Sequence, residues 1–290
     1  MKISYSNRNR VFNIHTENIP YLSFDMLDNL GVPNLYSTRF VSYDDLKETG
    51  KEGLRVVVMK TDDINEAAPV VRANRDRLAR QLSSSISREC FTDQKHTNNV
   101  YVVTDNDIGA SRFEEKPVRI RSVDGLITDK RDVLLTAFGG DCPPVYIADP
   151  TKKAVGLLHS GRQGTLNRIS SVAVALMKER FGCDPGVMYA AIGPGICTDC
   201  YEIGDEVYDS FAAEWGVKEA DRILKRYPGG KYHLDLREAC LMTLIKAGIP
   251  ADHIVISNVC TRCNADIFYS YRAHRMENEQ AAMIVNRFRN

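Results

Sequence analysis

Two short apolar runs joined by a tight turn form the most regular hydrophobic pattern in the chain. The runs occupy residues 145–148 and 154–158, and an Asp-Pro turn separates them. Short β-type runs on either side of such a turn predict a β-hairpin. A hairpin places the start of its first strand beside the end of its second. Cys142 and His159 are therefore expected to meet at one end of the sheet.

The remaining pattern predicts strands and helices along the whole chain. Apolar and β-branched runs predict strands at 11–15, 55–59, 100–103, 125–128, 133–137, 188–192 and 254–256. Helical periodicity predicts helices at 65–82, 166–181, 201–215, 234–247 and 278–288. Strands come in clusters and helices come late, which predicts an α+β fold with mixed β-sheets. No Gly/Ser/Pro-rich linker divides the chain, so residues 1–290 are predicted to form a single domain.

Composition narrows the class of protein. The 290 residues are 43% hydrophobic and 26% charged, which is ordinary for a soluble globular protein, and the formal net charge is +0. A balanced charge disfavours nucleic acid and anionic membranes as partners. No apolar run reaches the roughly 18 residues of a membrane helix, and residues 1–8 lack the apolar core of a signal peptide. A cytoplasmic location is expected, and the eight cysteines are predicted to be thiols rather than disulfides.

Cys142 and His159 carry the first candidate chemistry, and His96 extends it. A thiol beside an imidazole can be a nucleophile pair or two ligands of a metal, and these two residues alone favour neither. His96 precedes a predicted strand and would add a second imidazole. Two imidazoles and one thiolate leave one position of a tetrahedral zinc open, which is the catalytic pattern. Asp141 is a candidate either to orient a ligand or to cap the strand turn.

Two Cys-x-x-Cys pairs, at 197–200 and 260–263, offer four further thiols. Together they resemble the ligands of a structural zinc site, although ribbon-type sites usually separate the pairs by about 15–20 residues. A whole predicted helix and strand lie between the pairs in this chain. The spacing therefore favours buried thiols lining a core or pocket over a zinc or redox role.

Four ordered blocks of sequence point to a family. They read Gln-Lys-His at 94–96, Asp-Cys-Pro-Pro-Val at 141–145, His-Ser-Gly-Arg-Gln-Gly-Thr at 159–165, and Ile-Gly-Pro-Gly-Ile-Cys at 192–197 followed by Cys-Tyr-Glu-Ile at 200–203. Supporting pieces are Tyr-Ser-Thr-Arg at 36–39, Cys-Thr-Arg-Cys-Asn at 260–264 and Ser-Tyr-Arg at 270–272. The ordered set resembles the YfiH/YlmD-type laccase-domain family, also described as multicopper polyphenol oxidoreductase-like or as purine nucleoside phosphorylases. It covers nearly the whole chain.

The resemblance implies a fold, a metal and a reaction. The fold is a four-layer α/β/β/α arrangement, and the metal is one zinc, with copper as the alternative, held by His96, Cys142 and His159. The implied reactions are phosphorolysis of adenosine, inosine, guanosine and methylthioadenosine, and deamination of adenosine. A purine nucleoside and phosphate are then the expected partners, and the chain is expected to be a monomer or a small homo-oligomer.

Four residues are predicted to bind the substrate: Arg39, Arg162, Gln163 and Arg272. Guanidinium groups bind phosphate bidentately, so the arginines are candidate phosphate clamps, although each could equally be a surface arginine. The chain departs from the family pattern where Arg162-Gln163 replaces the usual Trp-Arg, and where Phe-Val-Ser at 40–42 replaces Gly-Gly-Val-Ser. Arg162 is expected to substitute for the usual arginine, or the phosphate-dependent activity is weakened.

Three other functions are compatible with the sequence. A copper-dependent polyphenol oxidase is one, although true multicopper oxidases need more histidines than the six in this chain can readily supply. A metal-free thiol hydrolase is another, with Cys142 as nucleophile and His159 as base. The third is a non-catalytic partner-binding role in peptidoglycan editing, to which some family members are linked.

Overall fold

The structure of the protein, a computed structural model, describes residues 11–42, 44, 53–59, 62–109, 120–275 and 278–289. The expectation about residues 1–8 falls outside these ranges. Every helix in the described ranges is too short or too polar to span a bilayer. The assignment of residues 1–290 to one domain stays a prediction.

Two mixed β-sheets form the centre of the fold. In the described chain the first sheet has seven strands, in the order β1 (Phe12–His15), β2 (Tyr21–Phe24), β3 (Asn34–Ser37), β16 (Gln280–Val285), β8 (Leu134–Gly139), β4 (Glu89–Asp93) and β6 (Ile120–Arg121). The second has six described strands, in the order β15 (Ile254–Ile256), β11 (Tyr189–Ile192), β9 (Pro144–Asp149), β10 (Ala154–His159), β7 (Gly125–Thr128) and β5 (Val100–Val102). Each sheet combines antiparallel pairs, such as β16 with β8, and parallel pairs, such as β4 with β8.

Helices cover the sheets and connect their strands. The α-helices of the described residues are α1 (Asp25–Asn29), α2 (Ile64–Gln81), α3 (Arg162–Leu166), α4 (Ile169–Phe181), α5 (Asp205–Trp215), α6 (Val217–Ile223), α7 (Leu236–Lys246) and α8 (Tyr271–His274). The predicted helix at 166–181 begins later because Arg168 adopts a left-handed conformation, with φ of 58°, between α3 and α4. The helix predicted from 201 begins at Asp205 because residues 202–203 form a strand instead.

The two sheets pack face to face, and helices cover both outer faces. Phe24, Tyr146 and Ile284 belong to the apolar cluster that fills the space between the sheets. The outer face of the first sheet packs against α2, and the outer face of the second packs against α4 and α7. The layer order is thus helix, sheet, sheet, helices, and the predicted four-layer α/β/β/α fold is confirmed.

The central hairpin shows why the sequence pattern there is so regular. Along β9, Tyr146 and Ala148 face the space between the sheets, whereas Val145 and Ile147 face α4 and α7. Because both faces of the strand are buried, positions 145–148 are all apolar and the run does not alternate. The predicted hairpin is confirmed, with His159 of β10 paired directly with Pro144 of β9.

Two predicted elements are wrong. The segment predicted as a closing helix at 278–288 contains β16, a central strand whose six residues are all buried. Ala281, Ala282 and Met283 have weak strand propensity. The segment nevertheless pairs with β3 on one side and β8 on the other, and burial of both its faces overrides the local propensity. The strand predicted at 55–59 is irregular chain, in which Val56 is buried without joining a sheet.

A third, smaller sheet lies beside α7. Its strands, in order, are β12 (Glu202–Ile203), β14 (Tyr232–Leu234) and β13 (Leu224–Arg226). Phe211 and Trp215 of α5 pack with Leu234 and Met242 in one apolar cluster. The loop that follows β11 lies at one end of the central hairpin, where the N–H of Gly193 donates to the carbonyl oxygen of Pro144 and that of Ile196 to the carbonyl oxygen of Asp141.

Candidate metal centre and adjoining cleft

The hairpin brings two of the predicted site residues together, and a loop adds the third. Cys142 lies two residues before the first residue of β9, opposite the end of β10 where His159 stands. His96, Cys142 and His159 form a group that we call the trio. Their ligand atoms all lie within 4.8 Å of one another. The expected meeting of Cys142 and His159 is confirmed, and the structure places His96 with them.

His96 stands on a turn that one buried carboxylate organises. Its φ is 59°, a left-handed conformation that a non-glycine residue adopts only when its surroundings enforce it. The backbone N–H groups of Lys95, His96 and Thr97 all donate to the carboxylate of Asp124, at 3.1, 2.9 and 2.7 Å. Asp124 thereby holds the exposed His96 at the site.

The same carboxylate orients His159. Nδ1 of His159 lies 2.9 Å from Oδ1 of Asp124, and both side chains are buried. An Nδ1–H that donates to a carboxylate leaves Nε2 as the free ligand atom and fixes the plane of the ring. Asp124 was missed by the sequence analysis. Nothing in the local sequence marks it, because it lies 28 residues from His96 and 35 from His159 along the chain.

Asp141, the residue proposed from the sequence for this orienting role, has different partners. Its carboxylate accepts hydrogen bonds from the hydroxyls of Thr261 and Ser270, at 2.7 and 2.8 Å, and from the backbone N–H of Arg272 at 2.8 Å. Asp141 therefore joins the Cys142 loop to the segment at 261–272, and the orienting carboxylate of His159 is Asp124.

The electrostatics of the site favour an ionised Cys142. Burial opposes ionisation, but the charge of His159 and hydrogen bonds from His159 and His96 lower the pKa of the Cys142 thiol to about 7. Burial likewise opposes the charged form of His159, but the Cys142 thiolate and the Asp124 carboxylate raise its pKa to about 10. A thiolate near neutral pH is the form that binds a metal or acts as a nucleophile.

Gly161 allows the three side chains to approach. A Cβ atom at this position would lie 2.7 Å from Cδ2 of His96 and 3.2 Å from Sγ of Cys142. The residue has φ of −70°, so its role is to leave space rather than to adopt an unusual backbone conformation. Gly164 similarly allows α3 to pack against the His96 turn, since a Cβ there would lie 2.6 Å from the carbonyl oxygen of Thr97.

A cleft of about 620 Å³ contains two of the predicted substrate-binding residues, Arg162 and Arg272. Its full lining is Arg162, Tyr201, Glu202, Ile203, Gly204, Asp205, Glu206, Val207, Gly229, Gly230, Lys231 and Arg272. Tyr201 lines this cleft, and the guanidinium of Arg272 lies over its ring at 5.1 Å from the ring centre. Burial raises the pKa of Tyr201, the charge of Cys142 raises it further, and the charges of Arg162 and Arg272 lower it.

The other two predicted substrate-binding residues lie outside this cleft. The guanidinium of Arg39 donates to the carbonyl oxygen of Ala265 at 3.0 Å and lies over the ring of Tyr269. Gln163 is exposed on α3. Neither residue lines the cleft that contains Arg162 and Arg272.

Glu279 is a further carboxyl close to the trio. It directly precedes β16, in which Gln280 pairs with Gly139, three residues before Cys142. Burial raises the pKa of Glu279, and the charges of His159 and His96 act against that rise. The helix predicted at 278–288 gives no sign that Glu279 approaches the trio, because only the strand β16 brings it there.

The donor set of the trio fits a divalent metal. Two imidazoles and a thiolate are ligands that suit zinc or copper, and three protein ligands leave a position for water or substrate. The buried carboxylate on His159 is the kind of outer partner that fixes metal-ligating histidines. The trio is therefore a candidate metal site.

The two Cys-x-x-Cys pairs also come together. The sulfur atoms of Cys197, Cys200, Cys260 and Cys263 lie within 4.8 Å of one another. The spacing favours buried thiols, but Cys263 is exposed, and the fold brings the loops at 193–204 and 257–264 side by side.

Known proteins resemble this chain over most of its length. The family model described as multi-copper polyphenol oxidoreductase laccase matches residues 59–287. The purine nucleoside phosphorylase YlmD of Geobacillus stearothermophilus is 35% identical over 223 residues, which are 77% of this chain and 78% of that protein. The adenosine deaminase RL5, from an unknown prokaryotic organism, is 34% identical over 212 residues, 73% of this chain and 79% of that protein.

Solved structures of the same kind superpose over nearly all of the chain. The crystal structure of YlmD from Geobacillus stearothermophilus has a TM-score of 0.82 and 29% sequence identity, covering 96% of this chain and 100% of that one. The crystal structure of a hypothetical protein YfiH from Bacillus licheniformis has a TM-score of 0.83 and 27% identity, covering 96% and 99%. The sequence blocks, the four-layer fold and the length of the family match together show that this chain belongs to the multi-copper polyphenol oxidoreductase laccase family.

Proposed function

We propose that this protein is a zinc-dependent purine nucleoside phosphorylase that also deaminates adenosine. The observation that carries the proposal is the placement of His96, Cys142 and His159 within 4.8 Å of one another and against Gly161, the residue that precedes Arg162 of the cleft. The names of the similar proteins, purine nucleoside phosphorylase and adenosine deaminase, support the same two activities.

The trio is proposed to hold zinc, and Asp124 to hold the trio. When bound, zinc would act as a Lewis acid and lower the pKa of a water ligand toward about 7. Cys142 would bind as a thiolate, and His159 would bind through Nε2 because its Nδ1–H donates to Asp124. His96 is the exposed member of the trio, so it lies on the side from which substrate would enter.

The cleft is proposed to bind phosphate and ribose. Phosphorolysis breaks the bond between C1′ and the purine nitrogen, forms a bond between C1′ and a phosphate oxygen, and delivers a proton to the departing purine. The Arg162 and Arg272 guanidinium groups can bind phosphate through charge-assisted hydrogen bonds. Glu202, Asp205 and Glu206 line the same cleft and can accept hydrogen bonds from ribose hydroxyls.

Glu279 is proposed to transfer protons at this site. Deamination moves protons from the attacking water to the purine ring and the leaving ammonia, and other zinc deaminases use a glutamate that is not a ligand for this purpose. Glu279 has a pKa raised by burial and lies within electrostatic range of His96 and His159. A raised pKa lets a carboxyl both accept and donate protons near neutral pH.

A product assay on metal-quantified protein tests the proposal. Adenosine is supplied with and without phosphate, and the products are separated by chromatography. Adenine and ribose 1-phosphate formed only with phosphate, and only by zinc-loaded protein, is the expected result for phosphorolysis. Inosine formed without any phosphate requirement is expected for deamination. Zinc-loaded protein that yields neither set of products would refute the proposed activity.

A metal-free thiol hydrolase is the second candidate, and one observation favours it. Cys142, His159 and Asp124 form a chain of thiol, imidazole and carboxylate in which the pKa of the thiol is lowered to about 7. This is the arrangement of an activated cysteine nucleophile. Alkylation distinguishes the two candidates, because a zinc-bound thiolate should react with iodoacetamide only after a chelator is added. Rapid alkylation of Cys142 in untreated protein would favour the hydrolase.

Copper is the alternative metal. Of the metal-ligand groups in the described residues, only the trio contains histidine, so the arrangement resembles one mononuclear site rather than a multicopper centre.

A purine nucleoside and phosphate remain the proposed partners. The cytoplasmic location, the oligomeric state and a role in peptidoglycan editing stay predictions.

A further inference from the structure

Four cysteines outside the trio converge at one point between two loops. Cys197 and Cys200 belong to the loop that follows β11, and Cys260 and Cys263 belong to the loop that follows β15. Sγ of Cys263 lies 3.6 Å from Sγ of Cys200 and 4.0 Å from Sγ of Cys197. All four sulfur atoms lie within 4.8 Å of one another.

The separations match shared metal ligands and exclude disulfides in this conformation. Zinc binds thiolate sulfur at about 2.3 Å, so the sulfur atoms of a tetrahedral site are about 3.8 Å apart. A disulfide holds its sulfur atoms about 2.05 Å apart. The observed separations of 3.6 and 4.0 Å lie on either side of the tetrahedral value, and all four residues are free cysteines.

Main-chain groups support negative charge on this cluster. The backbone N–H of Cys197 and that of Cys263 both donate to Sγ of Cys260, at 3.2 and 3.4 Å. The guanidinium of Arg262 donates to the carbonyl oxygen of Cys200 at 3.3 Å and so joins the second cysteine pair to the first. Backbone N–H groups directed at one sulfur atom stabilise negative charge on it.

The backbone brings the two loops together in register. Gly195 forms a parallel bridge with Cys260, and the N–H of Thr261 donates to the carbonyl oxygen of Gly195 at 3.3 Å. Both loops also touch Asp141, through the N–H of Ile196 on its carbonyl oxygen and the hydroxyl of Thr261 on its carboxylate. The cluster therefore lies across the junction of the two loops that support the Cys142 loop.

We propose that Cys197, Cys200, Cys260 and Cys263 bind one zinc ion in a structural tetrathiolate site. Four protein ligands complete the tetrahedron and leave no position for substrate, which is the pattern of structural zinc. The ion would crosslink the loops at 193–204 and 257–264. It would also anchor Tyr201, which follows Cys200 and lines the cleft. The proposal goes beyond the function proposed above and does not depend on it.

Metal counting on the full chain is the first test. Protein purified without chelator should contain about two zinc ions per chain, one for each group of ligands. The double variant Cys200→Ser/Cys263→Ser should contain about one, and so should Cys142→Ala. Cys183→Ser is the matched control, because Cys183 is a free cysteine outside both groups and its replacement should leave both ions in place.

Cobalt substitution keeps the proposal testable if the double variant does not fold. Cys142→Ala has no thiolate at the trio, so any sulfur-to-cobalt charge-transfer band of that variant must come from the four cysteines. We expect this band, with the intense visible bands of tetrahedral cobalt, at about one cobalt per chain. Loss of all bound metal in Cys142→Ala would overturn the proposal. Two disulfides among the four cysteines in freshly reduced protein, or iron at this site after expression with zinc, would also overturn it.

The outcome is separable from that of the proposed function. A protein that keeps the charge-transfer band but converts no adenosine would support the tetrathiolate site and refute the enzyme. A protein that converts adenosine with about one zinc per chain, lost entirely in Cys142→Ala, would support the enzyme and refute the tetrathiolate site.

Discussion

Two groups of metal-ligand residues in this chain differ in the number of thiols, the number of ligands and the kind of outer support. The trio combines one thiol with two imidazoles, and a buried carboxylate from Asp124 orients it. The cysteine cluster has four thiols, supported by backbone N–H groups. Three ligands leave room for chemistry, whereas four close the coordination sphere. The trio is thus suited to a reaction, and the cysteine cluster is suited to holding loops together.

Removal of the trio thiol should have the largest effect. Cys142→Ala deletes a proposed metal ligand. Changes in outer partners alone typically cost about 10–100-fold in metal affinity or activity, so a loss of more than about 100-fold in adenosine turnover is expected. Zinc content and turnover are measured on the same sample. Cys183→Ser is again the control, and unchanged turnover and zinc content in Cys142→Ala would contradict the role of the trio.

Replacement of Asp124, the carboxylate that orients His159, should have the next largest effect. Asp124→Asn keeps the shape of the side chain but weakens its hydrogen bonds to His159 Nδ1 and to the turn that bears His96. We expect about a 10–100-fold loss of zinc affinity or turnover, measured by chelator competition and product formation. Asp209→Asn, on the exposed face of α5, is the control. An Asp124→Asn protein with the zinc affinity of the parent would show that Asp124 only stabilises the fold.

A substitution in the cleft should affect phosphorolysis more than deamination. Arg162→Ala removes the proposed charge-assisted interaction with phosphate, and such interactions contribute about 1.5–3 kcal/mol, so the KM for phosphate should rise about 10-fold or more. Deamination of adenosine, which needs no phosphate, should change much less. Arg180→Ala on α4 is the matched control, because Arg180 is exposed and lies outside the cleft. Equal losses in both reactions would indicate a structural role for Arg162.

Loss of the hydrogen bond between Thr261 and Asp141, which links the cysteine cluster to the Cys142 loop, should have the smallest effect. Thr261→Val removes the hydroxyl that donates to Asp141 at 2.7 Å and leaves a half-buried carboxylate with one partner fewer. A loss of about 1 kcal/mol is expected, which corresponds to about 2 °C in Tm for a chain of this size. Thr261→Ser keeps the hydroxyl and should restore the Tm. A Tm unchanged in Thr261→Val would mean that this bond does not couple the loops.

Local pattern was sufficient where a contact depends on neighbours in sequence. The hairpin of β9 and β10 joins segments only a few residues apart, so its turn and apolar runs predict its register and the meeting of Cys142 with His159. The strand β16, by contrast, depends on contacts with distant segments, and its sequence was wrongly predicted as a helix. Its partners β3 and β8 lie far away in the chain, and an apolar run buried on both faces carries no strand periodicity.

The same distinction holds within the sites. The sequence by itself determined which residue types are available: one thiol between two histidines in ordered blocks, and two Cys-x-x-Cys pairs. Only the tertiary structure decided that Asp124 rather than Asp141 orients His159, that Arg162 and Arg272 share a cleft while Arg39 does not line it, and that the two cysteine pairs meet. The physical reason is that side-chain chemistry is a property of each residue, whereas hydrogen bonds and metal ligation act over a few ångströms. Which groups come within that range depends on how distant strands pack.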